Sequence, residues 1–314
     1  SFTLEGLKGE LSLHEEVGKL TLFSPSIQLT SGNYLNKNLN FNNFKSALDL
    51  KISEDGIQIL PSAFSMIIDN QQFNGLVKIY SIPTDGLGNI DLRVESNAMD
   101  YQLALNLLPN MGYLSNIKSS IINLINCGSI EDINVILRLP FDGIFNNNSS
   151  SFGMQASTRN TCLNVNGFQL SNANTSFQIN NLAIKGEIKS ANFLGSTLSA
   201  DFETISDSSV ITLDIQGVSQ GPFVTLLNIF NDETISQSDS GGVHKTSFKY
   251  LAPLKKNISF LDEEVFLSVI SKIDKGKFNS KDLGFSIDNI FSSFNYNNSI
   301  GFNKGFISFQ LNSV

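Results

Sequence analysis

Ile90-Asp91-Leu92-Arg93-Val94 alternates branched apolar residues with charged ones at every step. A period of two places Ile90, Leu92 and Val94 on one face of an extended strand, with Asp91 and Arg93 on the other. The rhythm is chain-wide. Leu11-Ser12-Leu13, Ile27-Gln28-Leu29, Leu48-Asp49-Leu50-Lys51-Ile52 and Val135-Ile136-Leu137-Arg138-Leu139 carry it through the first half. Phe177-Gln178-Ile179, Leu182-Ala183-Ile184 and Ile211-Thr212-Leu213-Asp214-Ile215 carry it through the second. The expected class is all-β and antiparallel, each strand having one apolar and one polar face. An apolar face must be buried against something, and what covers it becomes the functional question.

The chain has 314 residues, enough for a sizeable core or one long all-β array. Hydrophobic residues make up 41%, which excludes wholesale disorder. Charged residues are only 16%, and Asn, Ser and Gly occupy the polar positions instead. Net charge is −8, and Lys and Arg are scattered along the sequence, so no basic stripe for nucleic acid is visible. No apolar run approaches the roughly 18 residues of a membrane span. Ser1-Phe2-Thr3-Leu4-Glu5-Gly6 reads as strand without a leader's layout, so the chain is expected to be a piece of a longer protein.

Turn residues fall at Glu54-Asp55-Gly56, Asp69-Asn70-Gln71 and Pro83-Thr84-Asp85-Gly86, the punctuation of hairpins. About 20 strands of roughly 5–6 residues would fill most of the chain. Three amphipathic helices interrupt them. Met111, Leu114, Ile117, Ile121, Leu124 and Ile125 have helical spacing up to Cys127-Gly128. Pro222 opens a second helix striped by Phe223, Leu226, Leu227 and Phe230. The third spans Asp262 to Lys275, with acids at its start, lysines at its end, and Val265, Phe266, Val269, Ile270 and Ile273 on its apolar face. The organisation expected is a strand segment over 1–109, a helix over 110–128, a second strand segment over 129–256, and a helix with terminal strands over 257–314.

Chemistry is sparse. His14 and His244 belong to no ligand or catalytic pattern and read as surface imidazoles. No Cys/His/carboxylate cluster has zinc spacing, and no motif implies a metal or cofactor. Asp262-Glu263-Glu264 reads as dipole-matching residues of a first helical turn. Asp132, Asp142, Asp201 and Asp214 share no motif, and the absence of Trp argues against a carbohydrate cleft. An enzyme is not expected. Cys127 and Cys162 either form one disulfide or are two buried small side chains. With 25 Phe, 6 Tyr and no Trp, the apolar face suits hydrocarbon or another such face. Pattern alone favours a sandwich or barrel that covers itself.

From Leu107 onward, the order of short motifs resembles the AsmA-like family, specifically its YhdP branch. Leu107-Leu108-Pro109 precedes the amphipathic stretch, Gly128-Ser129-Ile130 follows it, and Leu137-Arg138-Leu139-Pro140-Phe141 comes next, with Phe145 and Phe152 beyond. Leu213-Asp214-Ile215-Gln216-Gly217, Gly221-Pro222 with Leu226-Leu227, and Gly241-Gly242 leading to Tyr250-Leu251-Ala252-Pro253-Leu254 keep the order. The branch tends to carry Trp near its helix and in a later strand, where this chain offers at nearest Phe168.

The resemblance implies a repeating β-groove: a long antiparallel sheet curled into an open trough with an apolar inside. It implies a periplasmic segment of a Gram-negative envelope protein, held in the inner membrane by a part outside this chain. Such proteins conduct phospholipids toward the outer membrane, the acyl chains lying in the trough, with accessory proteins at either membrane as further partners. The expected lining is Leu48, Leu50 and Ile52; Ile90, Leu92 and Val94; Val135, Leu137 and Leu139; and Ile211, Leu213 and Ile215. Ile117, Ile121 and Leu124 would cap the trough or pack as core.

Overall fold

The computed structural model describes residues 2–31, 39–54, 56–82, 89–107, 125–140, 151–165, 168–181, 183–207, 210–225, 240–253, 264–280, 285–297 and 306–311. Among these lie 17 strands, nearly all antiparallel neighbours of the next in sequence. The chain divides into two compact units, one of Ser1–Ile122, Gly128–Arg159 and Phe177–Leu182, the other of Asn123–Cys127, Asn160–Ser176 and Ala183–Val314.

In the first unit β1 (Phe2–Glu5) and β2 (Lys8–His14) lie end to end along one edge of β3 (Val17–Ser31). The break between them faces Pro25, which has no N–H to give a partner strand. Gly6 turns the chain there at φ 86°, and the Ser24 hydroxyl donates to its carbonyl at 2.7 Å. A meander follows through β4 (Leu39–Ser53), β5 (Gly56–Ile68), β6 (Gln71–Ile82), β7 (Asn89–Asp100) and β8 (Ile125–Pro140). The expected turn at Asp69-Asn70 is a two-residue hairpin, both residues at positive φ (45° and 67°), as a type I′ turn demands.

β9 (Ser151–Val165) and β10 (Phe168–Asn180) each contribute residues to both units. The second unit continues with β11 (Ala183–Phe193), β12 (Ser196–Asp207), β13 (Val210–Pro222), β14 (Ser240–Pro253), β15 (Phe266–Ser280), β16 (Phe285–Asn297) and β17 (Phe306–Leu311). From β11 to β17 each strand pairs antiparallel with its successor. Its core gathers Val165, Leu170, Ile188, Leu213, Ile215, Tyr250, Ala252, Val265, Leu267 and Val269.

Two of the three helical expectations change. The third helix is instead strand β15, in which Leu267, Val269, Ser271 and Ile273 are buried, as is Val265 just before it, while Ile270 and Lys272 are exposed. Ser271 on the buried side breaks the apolar alternation and leaves a spacing that mimics a helix. Lys275, read as a helix end, sits in a strand irregularity at φ 51°. The first helix, read up to Cys127-Gly128, cannot reach that far, because Ile125 already begins β8; the stretch before it lies outside the described residues. A helix occurs earlier, α1 (Tyr101–Leu107), where strand was expected; Asp100 caps it by accepting the Gln102 N–H at 2.8 Å. Of the second helix, Phe223–Thr225 forms a helical turn, and the remainder lies outside the described residues.

The strands are also longer than expected, mostly 11–16 residues. Single residues at positive φ, including Asn43, Asp132 and Asn289, interrupt them without ending them. One contact has a direct consequence. A Cβ on Gly75 would overlap the ring of Phe64, its cross-strand partner, which in turn stacks on Phe44 with centroids 6.4 Å apart. Gly75→Val is expected to cost about 1–3 kcal/mol by overpacking, read as a lower urea midpoint, whereas the neighbouring exposed Asn74→Val should cost little.

Candidate functional site

In antiparallel pairing, direct partners share a face, so the registers can be followed across the first unit. Leu13 faces Gly18, Gly18 faces Leu50, Leu50 faces Ile59, Ile59 faces Ile79, Ile79 faces Ile90 and Ile90 faces Leu139. This row is apolar from β2 to β8. A parallel row runs Gly9, Leu22, Ser46, Phe64, Gly75, Val94, Val135 through the same strands. Leu92 and Leu137, paired with each other, lie between the two rows.

The opposite face carries ion pairs among exposed aliphatics, Leu76 and Ile136 flanking Arg93 at 45% and 53% exposed. Asp91 pairs with Lys78 on one side and Arg138 on the other, and the Arg138 guanidinium grips its carboxylate at 2.8 and 3.0 Å. The apolar face is not sealed: Leu20, Leu22, Leu92, Val94, Val135 and Leu137 are all half-buried. At the β2 edge Leu11 and Leu13 are more than half exposed (57% and 54%).

Of the lining expected in this unit, Leu48 and Leu50 are buried and Ile52 half-buried, while Ala47, Asp49 and Lys51 between them are exposed. The three β7 residues and the three β8 residues meet as cross-strand pairs, Ile90 with Leu139, Leu92 with Leu137, Val94 with Val135. Ile117, Ile121 and Leu124 lie outside the described residues.

In the second unit Leu213 and Ile215 are buried in the core cluster and Ile211 is half-buried. A hollow of about 110 Å³ opens beside them, lined by Val165, Leu170, Ile188, Phe193, Leu198, Ile215, Phe248, Tyr250, Leu267 and Val269. Of its polar lining residues, Thr225, His244 and Thr246 have their side chains hydrogen-bonded to protein groups. Thr225 donates to the Leu194 carbonyl at 3.1 Å. Cys127 and Cys162, 4.9 Å apart at Cα, are joined in a disulfide between β8 and β9. No helix among the described residues is long and apolar enough to cross a membrane.

His244 corrects the surface reading: it is 1% exposed. Nε2 lies 3.0 Å from Ser196 Oγ and Nδ1 2.8 Å from Thr246 Oγ1, which donates to Ser271 Oγ at 2.8 Å. Both ring nitrogens thus have a hydroxyl partner, each of which can either donate or accept. Burial pushes its pKa down to about 4, so the imidazole is neutral near pH 7. The four residues come from β12, β14 and β15, a closeness that no local spacing announces.

The sign of the resulting pH dependence follows from the unfolded pKa of 6.5. Above that value neither state carries the proton. As pH falls from 6.5 toward 4 the unfolded chain takes it first, so stability declines by roughly 1.4 kcal/mol per unit, about 3 in all. Urea midpoints between pH 7 and 4.5 should fall more steeply for the natural chain than for His244→Gln. Equal slopes would contradict a buried neutral imidazole.

No family model matches the sequence, and neither a curated protein nor a solved structure matches it.

Proposed function

We propose that the chain is a segment of a lipid-conducting groove, as its resemblance to the YhdP branch of the AsmA-like family implies. The observation that supports this reading is the two rows crossing β2 to β8 in register, apolar except at Ser46, with half-buried side chains along them. Phospholipid acyl chains lie along these rows, each buried CH₂ contributing about 0.8 kcal/mol, while headgroups stay in water. A row of aliphatic side chains has no hydrogen-bond demand, so cargo is held without a specific pocket and can slide. The disulfide supports an oxidising compartment such as the periplasm. The longer protein is then held at the inner membrane by another segment, with accessory proteins at the membranes.

A self-covering core has its own support in the second unit, where Leu213, Ala252 and Val265 are 4%, 0% and 0% exposed. There the hollow offers an acyl chain a place among the described residues. Native mass spectrometry of protein purified without detergent is expected to find co-purifying phospholipid. A photo-crosslinker at Leu50 or Leu137 should capture it. Lipid-free protein together with absent crosslinks would overturn the groove.

A further inference from the structure

On the face of the second unit opposite the hollow, three lysines distant in sequence meet. Lys245 on β14 and Lys272 on β15 are direct cross-strand partners. Lys189 lies in the β11 irregularity between Ile188 and Ala191. All three line one shallow depression of about 600 Å³ together with Val218, Gln220 and Ile270. Two like charges set directly opposite one another destabilise a sheet. Among the described residues none of the three lysines makes an ion pair, whereas Lys249 holds Asp214 at 3.3 Å and Lys277 holds Asp288 at 3.2 Å. The acids bordering this face are Asp274, which faces Val243 across the strands, and the cross-strand pair Glu187 and Asp201, each two residues from the depression's Lys189 or Ser199.

The row beside the lysines is apolar at two places. Val218 and Ile270 flank Ser247 and are 54% and 55% exposed. Ammonium groups next to bare aliphatic side chains, in a chain of net charge −8, form a local reversal of sign with a hydrocarbon margin. A soluble anion would satisfy the lysines and leave the aliphatics in water. A bilayer surface satisfies both.

We propose that this patch docks on an anionic bilayer surface, with Lys189, Lys245 and Lys272 on lipid phosphates and Val218 and Ile270 entering the interface. The contact is independent of the groove reading, because it uses residues of the second unit alone, on the face away from that unit's hollow.

The test is co-sedimentation of the whole chain with phosphatidylglycerol-rich vesicles and with pure phosphatidylcholine vesicles. Binding is expected to the first and not the second, and to fall as salt screens it. K189Q/K245Q/K272Q should bind roughly 100-fold more weakly, at about a kcal/mol per lysine, with a melting temperature that is not lowered, because the facing charges of Lys245 and Lys272 are relieved. V218S/I270S should weaken binding without altering its salt dependence. Equal binding to neutral vesicles, or full binding by the triple variant, would overturn the proposal. Leu137→Asp separates the two readings: vesicle binding that survives it supports the patch, and vesicle binding lost with it assigns the interaction to the first unit's apolar face.

Discussion

Leu137→Asp will abolish phospholipid co-purification while leaving the chain folded. Leu137 pairs with Leu92 between the two apolar rows, and both are half-buried, so a carboxylate there still reaches water in the empty protein. The fold then loses only partial burial of one leucine, about 1–2 kcal/mol. An acyl chain laid over the same position would strip that water, and an unpaired buried carboxylate is far costlier than the methylene contacts it replaces. Phosphorus analysis of the purified variant beside its thermal unfolding curve reads both effects. Lipid retained at the natural level would remove the groove from consideration. Unfolding of the variant would instead identify a closed core.

Cys127→Ser with Cys162→Ser is the second large effect, a loss of about 3–4 kcal/mol. The bridge closes a loop of sequence separation 35, and in the chain-entropy account its stabilisation lies mainly in the unfolded chain, which it deprives of conformations. Both cysteines belong to the second unit, so the loss should appear there first. Urea unfolding of the natural chain with and without reductant, compared with the double variant, measures it. A difference below about 1 kcal/mol would mean that the crosslink is incidental to the fold.

How much of this was legible depended on whether neighbours in sequence decide a residue's surroundings. The faces of β4, β7, β8 and β13 were readable because each strand carries its own alternation, and a register-matched row needs only that alternation on every strand. β15 was not, since Ser271 stands inward where an apolar residue would have marked the period, and Ile270 is apolar on the outward side. Ser271 is buried because Thr246, on the adjacent strand, offers it a hydrogen bond. His244 was misread for the same reason: its partner Ser196 is 48 residues away. The lysine patch was invisible because scattered charges in the sequence become neighbours only through pairing of β14 with β15. Strand lengths were underestimated because Asn and Asp, which signal turns, here also occupy irregularities within strands.

Those irregularities restrict where the gene can gain or lose codons. Near Asn43 the pairing of β4 with β5 slips by one residue between Asn42 and Lys45, and that slip helps set which side chains of the following stretch face inward. Deleting one residue between Asn43 and Leu48 would turn Leu48, Leu50 and Ile52 outward and bring Ala47, Asp49 and Lys51 into the apolar rows. Single-residue length changes are therefore tolerable at hairpin tips such as Asp69-Asn70, or inside strands only when a second change restores the phase. Homologous chains should differ in length at the tips and hold it constant along the strands.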